Sequence, residues 1–381
     1  MQRRYDELDS MRGLAATTVL FSHLVLAFGY LSTSDGFLEK LIRDTPLHIV
    51  YAGHEAVILF FVLSGFVLSL SYVNGRTMVY SQFIVPRMIR LYLPVIVMVL
   101  FVLIIRSFII VSSNPEAGEW ISSMWQKPMT ASNLFEHFTL VGLFDYGTYN
   151  PVLWTLVHEM RISFIFPFLL MLVLKYNWKT SLFVGLILSC VGGLSHHLFG
   201  EGHISFSKTA HYTFMFIMGS VMAKHLNDIL DFFKKKSKKI SLLFIALGVL
   251  IYTYRFWFFP EFSLVHNTLI DDWAAALGAS ILLVMAISYR PFTKALHLKP
   301  ILFLGKISFS FYLYHLIAML IVFNLLSGVV SSPVLIALSI ILSVLLATAG
   351  YYVAETPSIK MGRWVRNKMK SKESVLQSKV G

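Results

Sequence analysis

RGLAATTVLFSHLVLAF, residues Arg12 to Phe28, is an apolar run opened by an arginine and interrupted by one histidine. At about 1.5 Å of rise per residue it is long enough for a membrane-crossing helix. His23 then lies roughly 16 Å beyond Arg12, near the midplane of a hydrocarbon core about 30 Å thick. An ionisable ring at that depth is costly unless it finds a partner or a wet cavity. Eleven residues advance a helix by about 1100°, within roughly 20° of whole turns, so Arg12 and His23 share a face and Asp9 falls near it. Gly13, Ala15 and Ala16 allow another helix to approach that first turn closely.

The rest of the chain has the same character. Of 381 residues, 56% are hydrophobic and 14% charged, and the mean hydropathy is +0.70. An integral membrane protein follows. Continuous runs of roughly 18 to 25 apolar residues favour helices over the alternating pattern of a membrane barrel. The expected fold is all-α and polytopic, with ten transmembrane helices from Met11–Leu31 to Pro333–Val353. Among them are Met88–Val111, Pro151–Leu174, Thr209–His225 and Ile240–Phe258. An even number of spans puts both termini on one side. Most of the 32 Lys and Arg fall in the termini and loops of that side, so the positive-inside rule makes it cytoplasmic.

Orientation therefore accounts for the net charge of +12, and no nucleic-acid partner is expected. The run Lys234–Lys239, KKKSKK, reads as a topology determinant, with anionic lipid as an alternative partner. Residues 1–357 form the expected membrane domain, and 358–381 a basic cytoplasmic tail expected to be disordered. Cys190 is the single cysteine, so no internal disulfide or cysteine-based metal cluster is expected. The first apolar run reads as a retained span because it lacks a clear cleavage site. The long segment Ser112–Asn150, rich in aromatic and polar residues, is a candidate lid.

Three further stretches carry polar residues where lipid would exclude them. In FIVPRMIRLYLP (Phe83–Pro94), Arg87 and Arg90 leave one helix face at i and i+3. Two guanidinium forks side by side suit a multiply charged phosphate ester, although arginines flanking a span also serve as topology anchors. In LWTLVHEMRISFIFP (Leu153–Pro167), His158, Glu159 and Arg161 interrupt an apolar run. Depth alone lets Glu159 reach His23 and orient its ring; a structural ion pair of Glu159 with Arg161 is the alternative. GKISFSFYLYHLI (Gly305–Ile317) brings Ser308, Tyr312 and His315 into the ninth span. FFVLSGF (Phe60–Phe66) reads as scaffold, its Ser64-Gly65 pair permitting close helix packing.

Together these stretches resemble the acyltransferase-3 family of integral membrane acyltransferases. LDSMRGLAATTVLFSHL is similar to its first-span pattern, FFVLSGF to its second and PRMIRLYLP to its Arg-x-x-Arg element. LWTLVHE, SFSFYLYH and YYVAETP match three later elements in order, from about Asp6 to Pro357. Departures occur at Ser10-Met11, Met160 and Thr356, and they bear on substrate detail. The resemblance implies transfer of an acyl group, usually acetyl, from cytoplasmic acetyl-CoA or another acyl-CoA to a hydroxyl of an extracytoplasmic carbohydrate or glycolipid. It implies that His23 is the essential histidine, Arg12 the arginine before it, Glu159 the fourth-span acid, and Arg87 and Arg90 the donor-binding pair; Arg12, nearby, is expected to join them in binding the donor phosphates. Asp9, His158, Arg161, Ser308, Tyr312 and His315 are supporting candidates, and no metal is called for.

On this reading His23 is a general base or a transient acyl carrier in a multi-pass cell-membrane enzyme. A proton-coupled transporter or flippase, or a non-catalytic partner in glycan export, are the rivals, because intramembrane His, Glu and Arg also mark translocation paths. Acceptor identity, acyl length and oligomeric state are not legible in the residues.

Overall fold

The computed structural model describes residues 5–28, 36–75, 77–109, 118–199, 202–258 and 265–380. Regular structure among these residues is entirely helical. Ten helices occupy the positions of the ten expected spans. They are α1 Asp6–Phe28, α2 Gly53–Val73, α3 Tyr80–Phe108, α4 Leu153–Lys175, α5 Trp178–Phe199, α6 Phe206–Lys224, α7 Lys238–Tyr252, α8 Thr268–Ser288, α9 Lys299–Leu326 and α10 Ser332–Gly350. The expected ends of the first and third spans, Leu31 and Val111, lie outside the described residues.

Among the described residues, eight stretches are long and apolar enough to cross a membrane. Two of the ten expected spans fall short of that standard: α7 has only 15 residues, and α6 carries Lys208, Thr209, His211 and Thr213 among its apolar side chains. The polarity of α6 is tolerated because α2, α4, α5 and α8 pack around it. Its hydroxyls and imidazole then bond to protein instead of facing lipid.

Glycines set the tightest crossings. α1 and α9 touch backbone to backbone where Gly13 faces Gly305; a Cβ on Gly305 would come within 2.6 Å of the Asp9 carbonyl. α2 and α6 cross at Gly65 and Gly219, where added Cβ atoms would strike the carbonyls of Phe216 and Val62. Both contacts use the small residues singled out in the sequence. Moving from the Gly13–Gly305 contact along both chains leads to His23 and His315, which meet at 2.9 Å, so α1 and α9 run parallel and in register.

Residues 118–150 of the candidate lid fold over the far end of α1, where the Gly118 N–H donates to the Ala27 carbonyl at 2.9 Å. The end of this segment turns into the bundle. Tyr149 and Asn150 are completely buried, and Asn150 Nδ2 donates to the Leu313 carbonyl, midway along α9, at 2.8 Å. α4 therefore begins inside the bundle instead of at its rim.

At the other end of the chain, α10 passes through one π-helical turn, Tyr351–Glu355, into α11, Thr356–Val380. The tail expected to be disordered from residue 358 is helical. Its first turns pack on the start of α3, where Gly362 is buried against Pro86, and its Lys, Arg, Met and Gln are good helix formers.

Candidate active site

A cavity of about 440 Å³ opens between α1, α2, α3, α4, α9 and the α10–α11 junction. Its walls bring together Arg12 from α1, Arg87 and Arg90 from α3, Lys306 from α9 and Arg363 from α11, with Asp9, Glu159 and Glu355 as the acids. The i, i+3 spacing of Arg87 and Arg90 turns both toward this space, as the sequence anticipates.

The cations are held differently. Arg12 Nη1 pairs with Asp9 Oδ1 at 3.2 Å, one turn back on its own helix. Arg87 Nη2 pairs with Glu159 Oε1 at 2.5 Å, and its Nε donates to Ser163 Oγ at 3.1 Å. The Ser64 hydroxyl also donates to Glu159 Oε1, at 3.3 Å, which adds a polar contact to a residue read only as scaffold. Glu355 accepts from the backbone N–H and hydroxyl of Ser310 at 3.2 and 2.6 Å. Among the described residues, Arg90 makes no hydrogen bond or ion pair.

Glu159 does not orient His23. Because α4 begins at the depth of Leu313, its second turn runs down toward Arg87 on the antiparallel α3. His23 instead meets His315, and Tyr312 is a neighbour of that pair. Tyr312 and Ser308 line the cavity. The Tyr312 hydroxyl shares a 2.9 Å bond with Thr155 Oγ1, and the Tyr312 ring centroid is 5.9 Å from that of His315.

Backbone carbonyls set the tautomers of the histidine pair. A carbonyl only accepts, so His315 Nδ1–H donates to the Tyr312 carbonyl at 2.8 Å. The Nε2 of neutral His315 then accepts from His23 Nδ1–H at 2.9 Å. His23 is left with the lone pair on its own Nε2, which has no hydrogen-bond partner among the described residues. The indole of Trp120, from the segment over the end of α1, lies 5.0 Å from the His23 ring. This is the arrangement of an oriented base or nucleophile.

His158 and Arg161 are placed elsewhere, with their hydrogen-bonding capacity taken up by the protein. His158 bonds Thr209 Oγ1 at 2.8 Å and the His203 carbonyl at 2.9 Å. Arg161 donates to the carbonyls of Val141, Gly142 and Ile204 at 2.7, 2.7 and 2.6 Å. It pins two connecting segments to α4 and makes no pair with Glu159.

A second closed cluster was not singled out in the sequence: Asp272 binds His54 at 2.6 Å and His211 at 3.0 Å. Its members lie on α2, α6 and α8, too far apart in the chain for spacing to connect them. Lys306, Arg363 and Trp120 were not singled out either, because nothing in their local spacing distinguishes them from other charged or aromatic residues outside the apolar runs.

A family model described as an acyltransferase domain matches residues 5–352. The chain belongs to the acyltransferase-3 family. It is therefore a membrane acyltransferase, and the six stretches that resembled that family belong to one helical bundle. No curated protein and no solved structure matches the chain. In this acyltransferase the motif residues divide into those facing the cavity (Arg12, Arg87, Arg90, Glu159, Ser308, Tyr312), those forming the histidine pair beyond it, and those closing the structure around α4 and α6.

Proposed function

We propose that the protein transfers an acyl group, acetyl by default, from acyl-CoA to a hydroxyl of an extracytoplasmic carbohydrate or glycolipid. The observation that carries this reading is the succession from a cation-lined cavity through Tyr312 to the His315–His23 pair. A nucleotide thioester needs fixed positive charge at one end and a base or nucleophile at the other. The cavity lies at the end of the bundle where α1 starts, which the positive-inside rule makes cytoplasmic. Both termini are then cytoplasmic and the protein resides in the cell membrane.

The donor's phosphates lie against the guanidinium groups, and the pantetheine arm carries the thioester past Tyr312. His23 Nε2 takes the proton of the acceptor hydroxyl, and the oxygen attacks the thioester carbonyl. A C–O bond forms, the C–S bond breaks, and the thiolate leaves with a proton returned from the imidazolium. His315 keeps the reactive lone pair on Nε2 by accepting from Nδ1–H. Glu159 holds Arg87 in place instead of touching the reacting atoms.

The test is incubation of detergent-purified protein with acetyl-CoA labelled in the acetyl group, following thioester loss and label on protein. Wild type is run beside His23→Ala. Turnover or labelling lost in the folded variant supports the reading. No thioester consumption by folded wild type, with uptake of a glycan in vesicles, would replace it with transport.

A further inference from the structure

One wall of the cavity comes from beyond the family match. That match ends at residue 352, whereas Ile359 and Arg363 of α11 line the cavity one helical turn apart. Their placement depends on Gly362, which is buried where a Cβ would sit 3.2 Å from the Pro86 carbonyl. This contact seats α11 on the start of α3, beside Arg87 and Arg90.

The cations of the cavity fall into two sets. Arg12 and Arg87 have carboxylate partners in Asp9 and Glu159. Arg90, Lys306 and Arg363 are exposed and come from three different helices. Among the described residues, Arg90 and Arg363 make no hydrogen bond or ion pair, and Lys306 contacts only tyrosines: the Tyr352 hydroxyl at 3.3 Å and the ring of Tyr351. Glu355 faces the same space, but its Oε2 is bound by Ser310. Among the described residues no carboxylate is bonded to any of the three, and Glu355 acts on Arg90 only at longer range; such a group of like charges suits a ligand that brings its own dense negative charge.

In an acyl-CoA the ribose 3′-phosphate lies at the opposite end of the molecule from the thioester. With the thioester toward Tyr312, that phosphate comes to the exposed end. We propose that α11 is part of the donor site, and that Arg363, with Arg90 and Lys306, forms the subsite for the 3′-phosphate. This rests on the donor being acyl-CoA. A 3′-phosphate subsite would make the enzyme discriminate against dephosphorylated donors and would make residues beyond the matched domain necessary for tight donor binding.

The experiment measures binding of CoA and of 3′-dephospho-CoA to the full chain in detergent, for wild type, Arg363→Ala and Arg363→Lys. Wild type should prefer CoA by about tenfold or more, the range of a charge-assisted contact. Arg363→Ala should lose about tenfold for CoA and less than about twofold for dephospho-CoA, with Arg363→Lys between. Equal wild-type affinity for the two ligands, or an equal loss for both in Arg363→Ala, would overturn the subsite while leaving the donor reading intact. Wild type that binds neither ligand would overturn both. If Arg363→Ala does not fold, the two-ligand comparison in wild type and Arg363→Lys still decides.

Discussion

Arg87 and Arg161 are both arginines inside apolar helices, and the fold treats them in opposite ways. Arg161 is enclosed: its guanidinium donates to four backbone carbonyls and to Thr209 Oγ1. Arg87 has Glu159 and Ser163 on one side and the cavity on the other. Burying an ion demands that its hydrogen-bonding capacity be met, by protein or by something that enters. Arg161 is satisfied by the chain itself and serves the fold. Arg87 and its neighbour Arg90, which makes no hydrogen bond or ion pair among the described residues, leave capacity for a guest. The same contrast separates the histidines. His158 has both ring nitrogens occupied, whereas His23 has one nitrogen engaged and the other without a hydrogen-bond partner among the described residues.

This comparison is most sharply exposed by the histidines. His23→Ala should lower acyl transfer by about 10²- to 10⁴-fold with donor affinity retained, as expected for removal of a general base. His158→Ala, which touches no part of the cavity, should act on stability instead. Parallel assays of turnover and thermal unfolding would break the distinction if both variants lost turnover alone.

For the arginines, Arg161→Ala takes a donor from four carbonyls and should cost on the order of 3 kcal/mol of stability, read as a lower unfolding midpoint in detergent. Arg87→Ala should raise the donor KM by about 10- to 100-fold with a smaller change in kcat, because its contact is made in both ground and transition states. An Arg161 variant of normal stability with impaired donor binding would erase the contrast.

Glu159→Gln should have the smallest effect. If Glu159 acts only by holding Arg87, the Gln variant, which keeps an oxygen able to accept from the guanidinium, should change donor KM by about two- to fivefold and leave the pH profile of kcat unmoved. A large fall in kcat with a shifted pH profile would instead return Glu159 to the reacting centre.

Much of this was legible in the chain. The helices, the close approaches at Gly13 and Gly65, and the shared direction of Arg87 and Arg90 all follow from local spacing. The partner of His23 did not. Depth counted from the ends of ideal spans put Glu159 within its reach, but residues 148–150 turn into the bundle and start α4 at mid-depth. Nothing local marks that insertion, since Asn150 and Tyr149 are ordinary loop residues until Leu313 is opposite them. The helical character of the chain beyond residue 358 was missed because its polarity was read as disorder, when a docking surface on α3 was available.

The sequence by itself determined that this chain is a bundle of apolar helices with ionisable groups inside it. Backbone polar groups in hydrocarbon must bond within their own segment, so composition and run length suffice. Only the tertiary structure decided which ionisable groups are closed off and which are left open. That outcome depends on how far each helix is inserted and which way it is turned, and contacts between residues hundreds of positions apart, such as Gly13 with Gly305 and Arg87 with Glu159, set both.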